Sequence, residues 1–271
     1  MKLMILIRKS VYILAVFLCV TFNDYAYSEI HRWTDESGKI FYSDKKPQSA
    51  IDTAKVEVPT ANESAIRLDV PLVKQGKALC GPATIEMLFR YWGVDNYDQY
   101  DIAYNILLQF EDTKRVKQSK IFDTSPIDWR RYPGTGTANM REFLKRFAVV
   151  ENPRLRSIPS DKYLASKEAD NQFETLKRHI SRGVPVIVHQ YWGEVGSNGH
   201  YRIVSGYDDK KRQVYLNDST RGMVVTQSYE RFLELWNVNE PWLHFNAIVF
   251  NVNQTMIKPS LKLFDDVKTL H

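Results

Sequence analysis

Cys80 is the residue of this chain best suited to nucleophilic chemistry, and it stands where an irregular approach gives way to a helix. Pro82 fits the first helical turn, where a missing N–H costs nothing. Beyond it Ile85, Leu88, Phe89 and Trp92 fall at i, i+3, i+4 and i+7, one stripe of a helix, and Gly93 suits its C-terminal stop. The unpaired N–H groups at a helix start favour negative charge, so a thiol placed there is biased toward the reactive thiolate. Five residues earlier, Gln75 carries a side-chain amide able to reach back to the site. A lone cysteine is more often a buried structural residue than a nucleophile, so its partners decide the reading.

A thiol nucleophile needs a base to take its proton and a third group to orient that base. The chain has six histidines. His31 falls in an N-terminal hairpin, His271 is the last residue, His179 sits on a polar helix face, and His189 and His244 lie within expected strands. His200 differs, because it follows Gly199 at a loop-to-strand junction where a side chain can project from the sheet end. If 200–207 and 213–218 pair as a hairpin, the start of one strand lies beside the end of the other. His200 then comes near Asp218, with Asn217 as the competing orienter on the opposite face. Taken alone, a Gly-His pair signals no more than a structural or solvated histidine.

The elements around these residues follow from their patterns. Residues 29–47 read as a small β-hairpin, with Ile30, Trp33, Ile40 and Tyr42 as strand formers and a turn ending near Gly38. Residues 48–68 are polar and read as a linker or edge segment, and 69–74 as a short strand leading to the cysteine. Helices are expected over 97–110, 138–147 with Thr137 as its cap, and 171–182. Residues 111–133 form an irregular surface excursion, and its Trp129, Tyr132 and Pro133 are expected to pack on the core rather than line a groove. Gly183 ends the last of these helices. Strands are then expected over 184–190, 200–208, 213–217 and 242–251, with a short helix at 229–236. Helices first and an antiparallel sheet after make an α+β layout.

Length allows one or two domains with a sizeable core. Residues 1–28 read as a signal peptide: Lys2, Arg8 and Lys9 precede an apolar run too short for a comfortable membrane span, and Ala26-Tyr27-Ser28 offers a cleavage site. An uncleaved anchor is the alternative. Leu18 before Cys19 is too large for a good lipoprotein signal. Because residues 1–28 carry three basic side chains against Asp24, their loss takes the net charge from +5 to +3. No long basic patch is present, so nucleic acid is not an expected partner. The expected setting is the periplasm or the exterior of a bacterial cell. There stable cysteines come in pairs, and the mature chain would keep Cys80 alone. The tail, 254–271, is polar and free to fray.

Gly134-Thr135-Gly136-Thr137 lacks the lysine and spacing of a phosphate loop. His189 and His200 are a weak metal pair with no HExxH pattern beside them, so neither metal nor cofactor is expected.

Several blocks carry a resemblance together: Gln75; Cys80-Gly81-Pro82-Ala83; Tyr91-Trp92-Gly93; 183–188 (GVPVIV); 199–208 (GHYRIVSGYD); and 215–218 (YLND). In this order they resemble the bacteriocin-processing peptidases and their relatives, the C-thirty-nine family of papain-like cysteine peptidases, over roughly residues 70–250. The likeness implies a papain-like fold with the helical half (69–253 being the peptidase domain) packed on an antiparallel β-sheet. It implies Cys80 as nucleophile, His200 as general base and then acid, Asp218 as the group fixing the imidazole tautomer, and Gln75 with the Cys80 N–H as oxyanion donors. Three positions depart from the pattern. Gln75 is one residue closer to Cys80 than is commonest, Leu79 stands where an acidic residue is frequent, and Ser219 replaces a usual proline. Founding members cut leader peptides after paired glycines and are fused to transporters. This chain lacks those segments, so a peptide, a cell-wall peptide or a protein partner are all open as substrate, and acyl transfer is a close variant of hydrolysis. The rival reading is a catalytically silent binding module using the same groove. Residues 29–47, through Trp33, Asp35, Gly38, Tyr42, Ser43 and Asp44, resemble a short domain of unknown function found at the start of exported bacterial proteins.

Overall fold

The computed structural model describes residues 31–34, 40–43, 64–94 and 96–251. The expected signal segment, most of the linker and the tail beyond residue 251 lie outside these. At the N-terminus β1 (His31–Thr34) pairs antiparallel with β2 (Ile40–Ser43), the hairpin that alternating strand formers dictate.

The main body opens with β3 (Ala65–Arg67). No strand forms at 69–74. The pairing falls a few residues earlier, at the end of the stretch expected to be linker, where Ile66 is buried between two exposed neighbours. α1 (Cys80–Tyr91) follows, then α2 (Gln99–Gln109), which Asp98 starts with a reciprocal capping box to Asp101. The excursion at 111–133 is more ordered than its polarity suggests. It holds a short helix, α3 (Lys114–Ser119), and two 3-10 turns, and it buries Val116, Ile121 and Tyr132 against Leu79, Ala103 and Leu107. α4 (Thr137–Leu144) begins one residue before expectation. Gly136 is its cap, and Thr137 instead bonds the Tyr201 hydroxyl at 2.8 Å.

A long helix, α5 (Lys162–Ser181), then lies against the sheet through Phe173, Leu176 and Ile180. Its first turns carry no buried stripe, which hid them from periodicity. The sheet is β4 (Val149–Glu151), β5 (Val186–Tyr191), β6 (Gly199–Asp208), β7 (Gln213–Asp218), β8 (Met223–Ser228) and β9 (Ala247–Asn251), in the order β4-β9-β5-β6-β7-β8 with β3 beside β6. Every pairing is antiparallel. β4 and β8 are edge strands with half-exposed patterns, too weak to read from the sequence. α6 (Tyr229–Trp236), capped by Ser228, packs across β5, β7 and β8.

The α+β expectation therefore holds, with a helical first half on an antiparallel sheet. α1 is the central helix: residues 81–89 are all buried, and Phe89 meets Tyr97, Phe143, Phe147 and Phe250 within 6.3 Å. Burying such a helix on all sides fixes the position of its first residue. No described helix is long and apolar enough to cross a membrane.

Candidate active site

α1 begins on Cys80, which is half-buried. Leu79 occupies the cap position and offers no side-chain bond, and the first turn carries no acidic residue. The helix start is thus left open to whatever charge develops at the sulfur. Ala78, at φ +60°, makes the turn that feeds the chain into it.

The approach to Cys80 is clamped from behind. Gln99 accepts from the Gly76 N–H at 2.7 Å and donates to the Lys74 carbonyl at 3.0 Å, and its own N–H is held by the buried Glu86 of α1. A Cβ on Gly76 would fall 2.8 Å from the Tyr100 hydroxyl and 2.9 Å from Leu79 Cδ1, so a larger residue here would displace those side-chain ends.

His200 lies at the start of β6 and Asp218 at the end of β7, as the hairpin register requires. The His200 ring meets Asp218 through Nε2–Oδ1 at 3.2 Å, and the two are 4 % and 1 % exposed. With Nε2 committed to the carboxylate, Nδ1 is the nitrogen left for a proton from the thiol. Asn217 is not the orienter: it points away and donates to the Val70 carbonyl at 2.8 Å.

Asp218 has a second partner that sequence reasoning missed. Arg202 Nε donates to Oδ2 at 2.8 Å, while its other nitrogens reach Gln190 Oε1 and the Trp192 carbonyl. Arg202 is two residues beyond His200 on one strand, so both side chains leave the same face and reach one carboxylate. That period-2 spacing was the available signal. Burial alone would raise the Asp218 carboxyl, but the hydrogen bonds and charges of His200 and Arg202 hold it well below the usual carboxylate range.

The turn after Asp218 completes the site. The backbone N–H groups of Thr220 and Arg221 donate to Asp218 Oδ1. The hydroxyls of Ser219 and Thr220 donate to Gln75 Oε1 at 2.8 and 3.0 Å, and the Gln75 N–H bonds the Ser219 carbonyl. Gln75 is held by its oxygen, so its Nε2 is the end free to donate. Two departures from the family pattern thus meet: Ser219, in place of proline, supplies a hydroxyl that seats a glutamine one residue nearer the cysteine.

The thiol meets the sheet through the N–H of Tyr201, the residue after His200. Among the described residues no hydrogen bond joins the sulfur to the ring directly. Burial pushes the Cys80 thiol up, and the N–H groups of Tyr201, Gly81 and Cys80 offset this only in part. Burial, first, also lowers His200 despite its bond to Asp218. Burial thus opposes the thiolate bias expected of the helix start and favours the neutral forms of both the thiol and the imidazole.

His189 is the register partner of Tyr201 and stacks on its ring at 4.8 Å. Its Nδ1 is buried without a partner, and burial lowers it to about 4. His189 and His200 occupy successive register positions and so leave opposite faces of β5 and β6, which speaks against a shared metal. Among the described residues no group of three or more His, Cys, Asp or Glu could hold a metal ion.

The sequence profile of the Peptidase C39 like family matches residues 67–241, more than half of the chain, and that of a Domain of unknown function (DUF4124) matches residues 17–66. No curated protein matches the chain. Among solved structures, a candidate C39-like peptidase from Bacillus anthracis is similar at 16% identity and a TM-score of 0.43, covering 70% of this chain and 99% of that one. Xylellain, a cysteine protease from Xylella fastidiosa, is similar at 14% identity and a TM-score of 0.40, covering 74% and 90%. These superpositions are loose, and the family profile carries the assignment.

Proposed function

Because the chain belongs to the Peptidase C39 like family, we propose that it is an exported cysteine peptidase, hydrolysing peptide bonds through Cys80, His200 and Asp218. The observation that supports this reading is the commitment of His200 Nε2 to Asp218, which leaves Nδ1 uncommitted on the residue next to Tyr201, whose N–H meets the helix-start thiol. In the reaction His200 takes the thiol proton as the sulfur attacks the scissile carbonyl. Burial argues for proton transfer during attack rather than a preformed ion pair. The oxyanion is met by Gln75 Nε2 and the Cys80 N–H. His200 then gives its proton to the leaving amine, and the C–N bond breaks to leave a thioester on Cys80. Water, deprotonated by His200, attacks the thioester, and the sulfur departs with the proton returned to it. Asp218 keeps the ring in the useful tautomer throughout. An amine in place of water would make the same route a transfer.

The raised Cys80 thiol favours one alternative, a silent groove that binds a peptide without cutting it. Incubating the chain from residue 29 onward with a quenched-fluorescence peptide library separates the two. Cleavage that vanishes in Cys80→Ser supports the peptidase. Peptide binding by both forms, with no cleavage by either, supports the module. Placement in the bacterial envelope rests on the leader-like residues 1–28. N-terminal sequencing of protein from an expressing cell, with Glu29 as the first residue, tests it.

A further inference from the structure

Deepening the peptidase reading, we propose that Arg115 is a substrate-binding cation that selects peptides carrying a carboxylate next to the scissile bond. The inference starts from where its guanidinium lies. Arg115 projects from α3, and its Nη2 falls 3.1 Å from the position a Cβ would take on Gly134. Gly134 is at φ +78°, in the loop that leads into α4. The next residue, Thr135, packs its Cβ 3.1 Å from the Cβ position of Gly81, the neighbour of Cys80. Thr135 also shares a hydrogen bond with the Tyr132 hydroxyl. One short loop therefore separates Arg115 from the start of α1.

Charge reports the same proximity. The Tyr132 and Tyr201 phenols each lie within electrostatic reach of both Cys80 and Arg115. Both phenols are buried, whereas Arg115 is exposed. Among the described residues Arg115 makes no ion pair and no hydrogen bond. The carboxylate felt at Cys80 is Asp218, and Arg202 already offsets it. Lys77, three residues before Cys80, and Arg221, next to the Asp218 turn, are exposed cations as well. Arg115 is thus a guanidinium left unspent one loop away from the start of α1, and a guanidinium fork matches a carboxylate. A carboxylate of this kind comes from an acidic side chain or from a free C-terminus.

The test reads electrostatics at Cys80 without needing turnover. Alkylation rates with anionic iodoacetate and neutral iodoacetamide are compared in the wild type and in Arg115→Gln, Arg115→Glu and Arg115→Lys. The iodoacetate-to-iodoacetamide ratio is expected to fall by roughly fivefold in Arg115→Gln, the scale of an exposed ion pair. It should fall further in Arg115→Glu and hold in Arg115→Lys. Equal ratios in all four proteins would overturn the proposal, whether or not any peptide is cut. Matched substrates then identify the source. A Glu-over-Gln preference lost in Arg115→Gln assigns an acidic side chain, and a free-acid-over-amide preference lost in the same variant assigns a C-terminus. A carboxylate preference unchanged in Arg115→Glu would contradict Arg115 as the selector.

Discussion

The His200 imidazole and the Asp218 carboxylate meet at 3.2 Å at adjoining ends of β6 and β7, and the second carboxylate oxygen belongs to Arg202. The base is thus oriented by a carboxylate that is itself pinned from the same strand. Asp218→Asn keeps the shape and removes the charge. Peptide hydrolysis should fall about a hundredfold or more in kcat/KM, as expected when a general base loses its proper tautomer. Stability to urea should drop by about 3 kcal/mol, because Arg202 is left buried without its counter-charge. Arg202→Lys should lower kcat with little change in KM, since the ammonium cannot hold Asp218, Gln190 and Trp192 together. Steady-state kinetics beside urea titrations check each effect.

Gln75 is seated by two hydroxyls of the Asp218 turn. Gln75→Ala should cost about 100-fold in kcat, the scale of one oxyanion donor. Ser219→Ala should cost less and should add almost nothing in a Gln75→Ala background, because that hydroxyl acts through the amide. A kinetic double-mutant cycle gives the coupling directly, and full additivity would detach the hydroxyl from Gln75.

Gly199 is tied to the ring behind it. A Cβ there would lie 2.2 Å from His189 Nε2, and that ring is stacked on Tyr201. Gly199→Ala should therefore displace the start of β6 and cut activity, with His200 the next residue in line. Truncating the obstacle in Gly199→Ala/His189→Ala should restore much of it. No recovery in the double variant would place the need for glycine elsewhere.

Acid should loosen the fold through the buried imidazoles. Burial lowers His189 to about 4 and His200 below its ordinary value. With the folded values below the unfolded one near 6.5, the unfolded chain binds more protons, so stability rises with pH across this window. The contribution is fully present above about pH 6.5 and is lost as pH falls toward 4. His189→Leu should flatten part of that slope in urea titrations at successive pH values. An unchanged slope would mean that His189 titrates normally.

Much of this was legible in the sequence, and the losses have physical causes. His200 and Asp218 could be paired because a loop-to-strand junction and a strand end are local signals that register then joins, whereas Cys80 is tied to them through the family resemblance. Arg202 was missed because a buried arginine looks like any strand residue until its carboxylate is in view. The seat of Gln75 depends on Ser219 and Thr220, more than 140 positions downstream, and no local pattern links them. β4 and β8 lack a buried face, and β3 lies beyond an unpatterned polar stretch. The thiolate bias is read from a helix start, which is visible in sequence, whereas the burial that opposes it is not.

The account turns on His200 activating Cys80. The rate of Cys80 alkylation by iodoacetamide at pH 7, compared between the wild type and His200→Ala, tests this most directly. Removal of the base should slow the reaction about a hundredfold, with circular dichroism confirming a folded variant. Equal rates in the two folded proteins would contradict it.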